Sequence, residues 1–279
     1  MVLEQILDSA RVKRHIVFIF SLAFLFVFVG YLVSTLFFGS EVSVAMLFTL
    51  TLLLSPSMAH LVSNEEYIER KEGIHHFFRN HKAIFKVYFF IFLGVFAGFF
   101  VLGMYGNYYS TFDYQIQFLQ SQQGLTTELV DDYLQHGYTP NFENFIGLFG
   151  ENIKVMLITF VLAIFYGAGS VFLVTLNASV FAAFLVFVIN YFSKISSYAL
   201  QTIGVFLIHL IPEITGFFLA SLAGSLLSRA ILVEKFGSRG YSNILKDCAL
   251  LLCVAAFFTL LGSFLEVYVS SQLMRTVLG

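Results

Sequence analysis

The chain has 279 residues, of which 58% are hydrophobic and only 11% charged, and its formal net charge is −2. A water-soluble globular domain carries about 25% charged residues, so this composition excludes a soluble protein and predicts a polytopic membrane protein. The slightly negative charge gives no basic surface for nucleic acid, and we expect no such partner. Cys248 and Cys253 lie five residues apart in one apolar run and predict no disulfide framework.

Apolar runs of about 20 residues, the length that crosses a bilayer core, recur along the whole chain. They predict an all-α transmembrane helical bundle with seven spans, at 16–38, 42–61, 84–106, 153–176, 178–193, 203–229 and 247–269. The fifth run is short enough to be re-entrant rather than fully spanning. Six spans are therefore the alternative to seven.

Lysine and arginine orient these spans. Twelve of the fifteen basic residues lie before the first span, between the second and third, or between the sixth and seventh. Cytoplasmic loops carry the excess of basic residues. We therefore expect a multi-pass cell-membrane protein with a cytoplasmic N-terminus.

The connection 107–152 contains six acidic residues and no lysine or arginine, which predicts that it lies outside the cell. Apolar side chains recur at helical spacing near 112–119, 126–134 and 142–149. The pattern indicates short amphipathic helices on the outer membrane interface or against the bundle. They either cap the spans or form a docking surface, and the sequence leaves both interpretations open.

The stretch "FLIHLIPEITGFFLASLAGS" (206–225) places ionisable residues inside a span. His209 and Glu213 are four residues apart, so they share a helix face at about 6 Å. Pro212 lies between them and frees the carbonyl of Ile208, which favours a kink and a polar partner. Because charge within the bilayer is costly, we predict a polar intramembrane pair. It serves as a proton site, as part of a substrate path, or only as a hydrogen-bonded contact between helices.

Small residues follow this pair at Gly216, Ala220 and Gly224. Such spacing lets helices approach closely and predicts a helix-packing stripe. Gly94 and Gly98 repeat the spacing in the third span. The run 167–169 (Gly-Ala-Gly) indicates either close packing or a local break in the helix.

Two short strings between the second and third spans are reminiscent of a protease. Glu65, Glu66 and Arg70 form EExxxR, and Phe77 to His81 form FxxxH, strings that occur in prenyl-endopeptidase-like membrane proteins. There they lie in separate membrane helices, whereas here they share one charged connection that we expect water to solvate. No nucleotide-binding, zinc-protease or serine-hydrolase motif is present. We therefore assign no catalytic residue, no metal site and no cofactor.

Residues 149–184 and 206–231 together resemble the stage II sporulation protein M (SpoIIM) family of integral membrane proteins. The matching positions are Asn152, Gly167, Gly169, Asn177, His209, Pro212 and Glu213. Ala178 and Leu210 stand where the family usually has glycine. The resemblance covers roughly 84–269, which divides the chain into a two-span N-terminal extension with its cytoplasmic connection (1–83) and a membrane domain (84–279).

The resemblance implies a membrane component that works with other proteins, since the sporulation member acts beside peptidoglycan-degrading proteins at a remodelling membrane. We therefore expect a non-enzymatic scaffold or assembly component in cell-envelope or membrane remodelling. The alternative is a transporter or permease subunit with a mid-membrane polar site at His209 and Glu213. An intramembrane enzyme is the third alternative. The expected partners are the lipid bilayer and proteins within or outside it, and a homo-oligomer is left open.

Overall fold

The computed structural model describes residues 16–72, 77–123, 140–166, 169–192 and 199–278. These residues are almost entirely helical and include no β-strand, which confirms the predicted all-α class. In chain order the helices are α1 (Ile16–Phe38), α2 (Val42–Glu72), α3 (Phe77–Tyr105), α4 (Tyr108–Gln123), α5 (Phe142–Tyr166), α6 (Gly169–Phe192), α7 (Ala199–Val233), α8 (Arg239–Leu265) and α9 (Ser271–Leu278). A 3₁₀ turn (Gly39–Glu41) joins α1 to α2, and a π-helical segment (Glu266–Ser270) joins α8 to α9.

Within the described residues, five helices are long and apolar enough to cross a membrane: α1, α3, α5, α7, and α8 with its π-helical continuation. The apolar stretches of α2 and α6 are shorter, at Val42–Pro56 and Val171–Phe187. Each of the seven predicted spans thus corresponds to a helix. The membrane-protein class follows from the five long helices.

The predicted boundary between the fourth and fifth spans was wrong. The sequence placed it near 177, whereas α5 ends at Tyr166 and α6 begins at Gly169. Both sides of this junction are apolar, so hydropathy gives no signal there. The glycines at 167 and 169 mark the junction because glycine is a poor helix former.

The connection 107–152 also differs from the prediction in one part. Residues 142–149, predicted to form a separate amphipathic helix, are the first turns of the spanning helix α5. The predicted helix near 112–119 is α4, and it lies against the bundle, with Phe112 fully buried. The stretch 126–134 lies outside the described residues.

Helices α7 and α8 form a long antiparallel hairpin. Cys248 Sγ of α8 donates a hydrogen bond to the carbonyl of Ala223, and further along the hairpin Gly262 lies against Glu213. Helix α5 packs against this hairpin, and α6 packs against α2, α3, α4 and α5. The core is continuous from α1 to α8.

Glycines set the closest approaches between helices. A Cβ atom on Gly94 would lie 2.5 Å from the carbonyl oxygen of Phe20, and one on Gly98 would lie 2.7 Å from Val27 Cβ. Helix α1 of the N-terminal extension therefore packs tightly along α3. The domain boundary at 83/84 stays a sequence prediction, since α3 already begins at Phe77.

The residues of the predicted packing stripe contact two different helices. Gly216 lies against Thr259 and Ala255 of α8, whereas Gly224 lies against Phe160 and Ala163 of α5. Ala220, between them, is fully buried. This side of α7 thus packs against both of its main neighbours.

Candidate functional site

The predicted polar residues of α7 lie at one of the close approaches of that helix to α8. Helix α7 continues through Pro212 without a break. Glu213 is ten residues beyond Ile203, the start of the apolar stretch, or about 15 Å along the helix. A Cβ atom on Gly262 would lie 3.2 Å from the backbone nitrogen of Glu213 and 3.3 Å from the carbonyl oxygen of His209. This close approach brings the polar side chains of the two helices together.

His209 is buried and contacts two residues of the π-helical segment. Its Nδ1 lies 2.9 Å from Ser270 Oγ, and its Nε2 lies 3.9 Å from Glu266 Oε2. The hydroxyl of Ser270 donates to the carbonyl of Val205 at 3.2 Å. Since that hydroxyl has one hydrogen, its oxygen accepts from the Nδ1–H of His209. Nε2 is therefore directed toward the carboxyl group of Glu266.

The π-helical segment supplies both of these partners. Such segments are rare, are mostly single turns inside α-helices and often occur at functional sites. Here the carbonyl of Glu266 accepts hydrogen bonds from the backbone N–H and the hydroxyl of Ser271. The wider turn thus keeps its backbone groups bonded while Glu266 and Ser270 reach α7.

Glu213 belongs to the same polar region. It is half-buried on α7 and lies against Gly262 of α8, one helical turn before Glu266. The sequence predicted His209 and Glu213 as partners of each other, whereas the contacts of the His209 ring described above are with Ser270 and Glu266. Sequence analysis did not single out Glu266, because it lay near the end of the last apolar run.

Asn152 extends the polar line along α8. It is buried on α5, and its Nδ2 donates to Ser263 Oγ at 3.2 Å. Ser263 in turn donates to the carbonyl of Thr259. Asn152 and His209, which lie far apart in the sequence, therefore both contact the region from Ser263 to Ser270.

The other family-pattern positions lie elsewhere. Asn177 is half-buried on α6, Gly169 is the first residue of α6, and Gly167 is outside the described residues. Among the described residues, no group of three or more His, Cys, Asp or Glu side chains could hold a metal ion. The chemistry available at this site is hydrogen bonding, charge pairing and proton exchange.

A second polar network lies at the opposite end of the hairpin, where α2 meets the α7–α8 connection. Arg70 pairs with Glu234 at 2.9 Å, and Asn243 Nδ2 donates to the carbonyl of Arg70. Glu66 Oε2 lies 3.9 Å from Arg229 Nε. Burial raises the pKa of the Glu66 carboxyl group, although Arg70 and Arg229 oppose this shift.

The network corrects the expectation that water solvates the EExxxR and FxxxH strings. Glu66 and His81 are buried. His81 Nε2 lies 3.1 and 3.0 Å from the two carboxyl oxygens of Asp247. The cause is tertiary packing, which the local sequence cannot reveal: α7 and α8 pack against α2, and Asp247 of α8 bonds to His81 near the start of α3.

Comparison with known families identifies one match. The model described as "Stage II sporulation protein M" matches residues 84–271, which are 188 of the 279 residues. The matched region includes Asn152, His209, Glu213, Glu266 and Ser270. Comparison with curated proteins and with solved structures gives no match.

Proposed function

Since the chain belongs to the SpoIIM family of membrane proteins, we propose that it is a non-enzymatic scaffold or assembly component. It acts with partner proteins in cell-envelope or membrane remodelling. The observation that supports this proposal is the firm attachment of α4 to the bundle, which presents a fixed surface to a partner.

Buried hydrogen bonds hold α4 in place. Gln115 is fully buried, and its side-chain amide joins two other helices. Ser43 Oγ of α2 donates to Gln115 Oε1 at 2.8 Å, and Gln115 Nε2 donates to Ser179 Oγ of α6 at 2.9 Å. The backbone N–H of Tyr114 also donates to Ser43 Oγ. Because α4 is fixed on two helices, its exposed face is ordered before any partner binds.

The exposed face of α4 has the character of a protein-binding surface. Asp113, Tyr114 and Gln117 are exposed there. Tyrosine is enriched at protein interfaces, and acidic surfaces favour partners with complementary basic ones. The absence of lysine and arginine from 107–152 extends this acidic character over the whole connection. We therefore expect a partner with a basic docking face.

We further propose that the protein is a multi-pass cell-membrane protein with a cytoplasmic N-terminus and an external connection 107–152. The pairing of Arg70 with Glu234 supports this orientation. It joins the two described connections that are rich in basic residues, so both lie at one end of the bundle. The positive-inside rule assigns that end to the cytoplasm.

Site-specific photo-cross-linking in the native cells tests the scaffold. A photoreactive residue at Gln117 should form an adduct with an envelope-remodelling protein, and Gln115→Leu should weaken this adduct by loosening α4. The matched control is the same photoreactive residue at Leu52, which is 75% exposed in the apolar stretch of α2. If position 117 gives no protein adduct, or the same adducts as position 52, the docking role is wrong.

A permease subunit is the second candidate, because buried His209 of α7 and half-buried Glu266 of the π-helical segment lie close together. Purified protein in sealed vesicles containing a pH-sensitive dye separates the two candidates. A proton flux that Glu266→Gln abolishes would favour the permease. Vesicles no more permeable than protein-free vesicles would favour the scaffold.

A further inference from the structure

Three ionisable residues, His209, Glu213 and Glu266, lie on neighbouring turns of α7 and the end of the α7–α8 hairpin. His209 Nε2 lies 3.9 Å from Glu266 Oε2, and Glu213, one turn beyond His209, lies against Gly262, which precedes Glu266 by one turn. The ring of His209 also packs edge-on against Phe206, with centroids 5.7 Å apart. The cluster is thus enclosed on one side by an aromatic ring and on the other by α8.

The charges of this cluster do not balance when all three groups are ionised. One imidazolium and two carboxylates carry a net charge of minus one. With a neutral imidazole the imbalance is larger. An unbalanced charge in an apolar membrane interior is strongly disfavoured, and a carboxylate beside another carboxylate is disfavoured further. Beside an imidazolium, protonation of one carboxylate removes the imbalance; beside a neutral imidazole, both carboxylates must be protonated.

The hydrogen bonds of His209 show where a proton can move. Nδ1–H is used by Ser270, so Nε2 is the ring atom that gains or loses a proton. It is directed toward Glu266 at 3.9 Å, a distance longer than a direct hydrogen bond and spanned by a small side-chain rotation or by one water molecule. Transfer of a proton from the acid form of Glu266 to Nε2 leaves a carboxylate beside an imidazolium and changes no net charge.

The elements packed around the cluster supply few cationic groups that could balance its negative charge. On α5, Lys154 is exposed and pairs with Glu151 at 2.5 Å, and Asn152 is neutral. Helix α6, which packs on α7, has no charged residue in its sequence. Tyr268, in the π-helical segment, stacks on rings of α5 and α8. On α9 the basic residue is Arg275, whose side chain lies outside the described part of the structure.

We propose that His209, Glu213 and Glu266 form a proton-binding site, in which at least one of the two carboxyl groups is in its acid form at neutral pH and a proton is exchanged through His209. The site does not depend on the scaffold role. In a scaffold it would make the packing of α7 on α8 responsive to pH, and in a permease it would be a step on the proton path.

Infrared difference spectroscopy of the purified protein in lipid bilayers tests this proposal. The wild-type protein should show the carbonyl stretching band of a protonated carboxylic acid at neutral pH, and this band should shift in heavy water and disappear at alkaline pH. Glu213→Gln or Glu266→Gln should remove it or shift its frequency. Glu151→Gln, which changes an exposed carboxylate on α5, should leave it unchanged.

Two results would overturn the proposal. The first is the absence of an acid carbonyl band from the wild-type spectrum at neutral pH, as expected if Arg275 balances the charge instead. The wild-type measurement decides this point even if a variant fails to fold. The second is a band that neither glutamine replacement alters, because the proton would then reside on another group.

Discussion

At the residue scale, several buried polar side chains of this bundle are joined in pairs and chains across helices. Asn152 bonds to Ser263, His209 to Ser270, and Gln115 to both Ser43 and Ser179. In an apolar interior, leaving one partner without its bond costs more than making the bond contributes. These bonds therefore fix which helices are neighbours.

Replacement of Gln115 by leucine should reveal this cost. It removes the buried bonds of the Gln115 amide, leaving the Ser43 hydroxyl hydrogen without its acceptor and Ser179 Oγ without its donor, and should lower the free energy of unfolding by about 1–3 kcal/mol. Gln117→Leu on the same helix is the control, since Gln117 is exposed and bonds only locally to Asp113 in the described contacts. Thermal unfolding in detergent micelles measures both variants. Equal midpoints would show that the buried amide does not anchor α4.

Two glutamates of the network at the α7–α8 connection should respond to pH with opposite sign. The hydrogen bond from Arg70 lowers the pKa of Glu234, so its stabilising effect is complete at neutral pH and is lost as pH falls through that lowered pKa. Burial raises the pKa of Glu66, so folding binds its proton more tightly, and stability falls as pH rises through the raised pKa.

Thermal midpoints measured from pH 4 to pH 7 test both signs. Glu234→Gln should be less stable than the wild type at pH 7, with a difference that narrows toward pH 4. Glu66→Gln should be more stable than the wild type at pH 7, and this gain should also shrink as pH falls. Parallel curves for the wild type and both variants would show that neither carboxyl group is coupled to folding.

At the element scale, glycines decide how closely α7 packs on its neighbours. A Cβ atom on Gly224 would clash with the carbonyl oxygen of Phe160 and lie 2.7 Å from Ala163 Cβ, whereas one on Gly204 would meet nothing within 4 Å. The two glycines lie on the same helix. They therefore separate the effect of packing from that of helix propensity.

Gly224→Ala should destabilise the bundle by about 1–3 kcal/mol, because α5 and α7 must move apart. Gly204→Ala should be neutral or should stabilise α7 by up to about 1 kcal/mol, because alanine is the better helix former. Unfolding free energies in mixed micelles compare the two. If Gly224→Ala is as stable as Gly204→Ala, the contact between α5 and α7 is looser than described.

The limits of the sequence prediction are also clearest at this scale. The apolar runs located the spanning helices, since that signal is local. They missed the junction between α5 and α6, where both helices are apolar and only glycine marks the change. They also missed Glu266 as a partner of His209, because that contact joins residues 57 positions apart and depends on the antiparallel packing of α7 and α8.

At the scale of the whole molecule, polar contacts occur at both ends of the α7–α8 hairpin. His209, Glu213 and Glu266 lie at the end near the π-helical segment, and Glu66, Arg70 and Glu234 lie at the end near the connection. Local sequence predicted charge at the second end but not its burial, because burial comes from the packing of α7 and α8 against α2. The hairpin thus links the polar site around His209 to the basic end of the molecule.

This arrangement makes the orientation directly testable. Gln117 on α4 and Lys235 in the α7–α8 connection are both exposed. They lie at opposite ends of the bundle, because α4 bonds to the start of α2 and the α7–α8 connection bonds to its end. Single cysteines at these positions, in a chain whose Cys248 and Cys253 are replaced by alanine, should react differently with a membrane-impermeant thiol reagent added to intact cells. Because positively charged connections are retained in the cytoplasm, the cysteine at 117 should be labelled and that at 235 should not.

Opening the cells provides the control, since both cysteines should then be labelled to the same extent. Labelling of position 235 but not of position 117 in intact cells would invert the topology. It would also place the exposed face of α4 in the cytoplasm, where an envelope partner outside the membrane could not reach it. The scaffold proposal in its present form depends on the opposite result, because its docking face must lie on the outer side of the membrane.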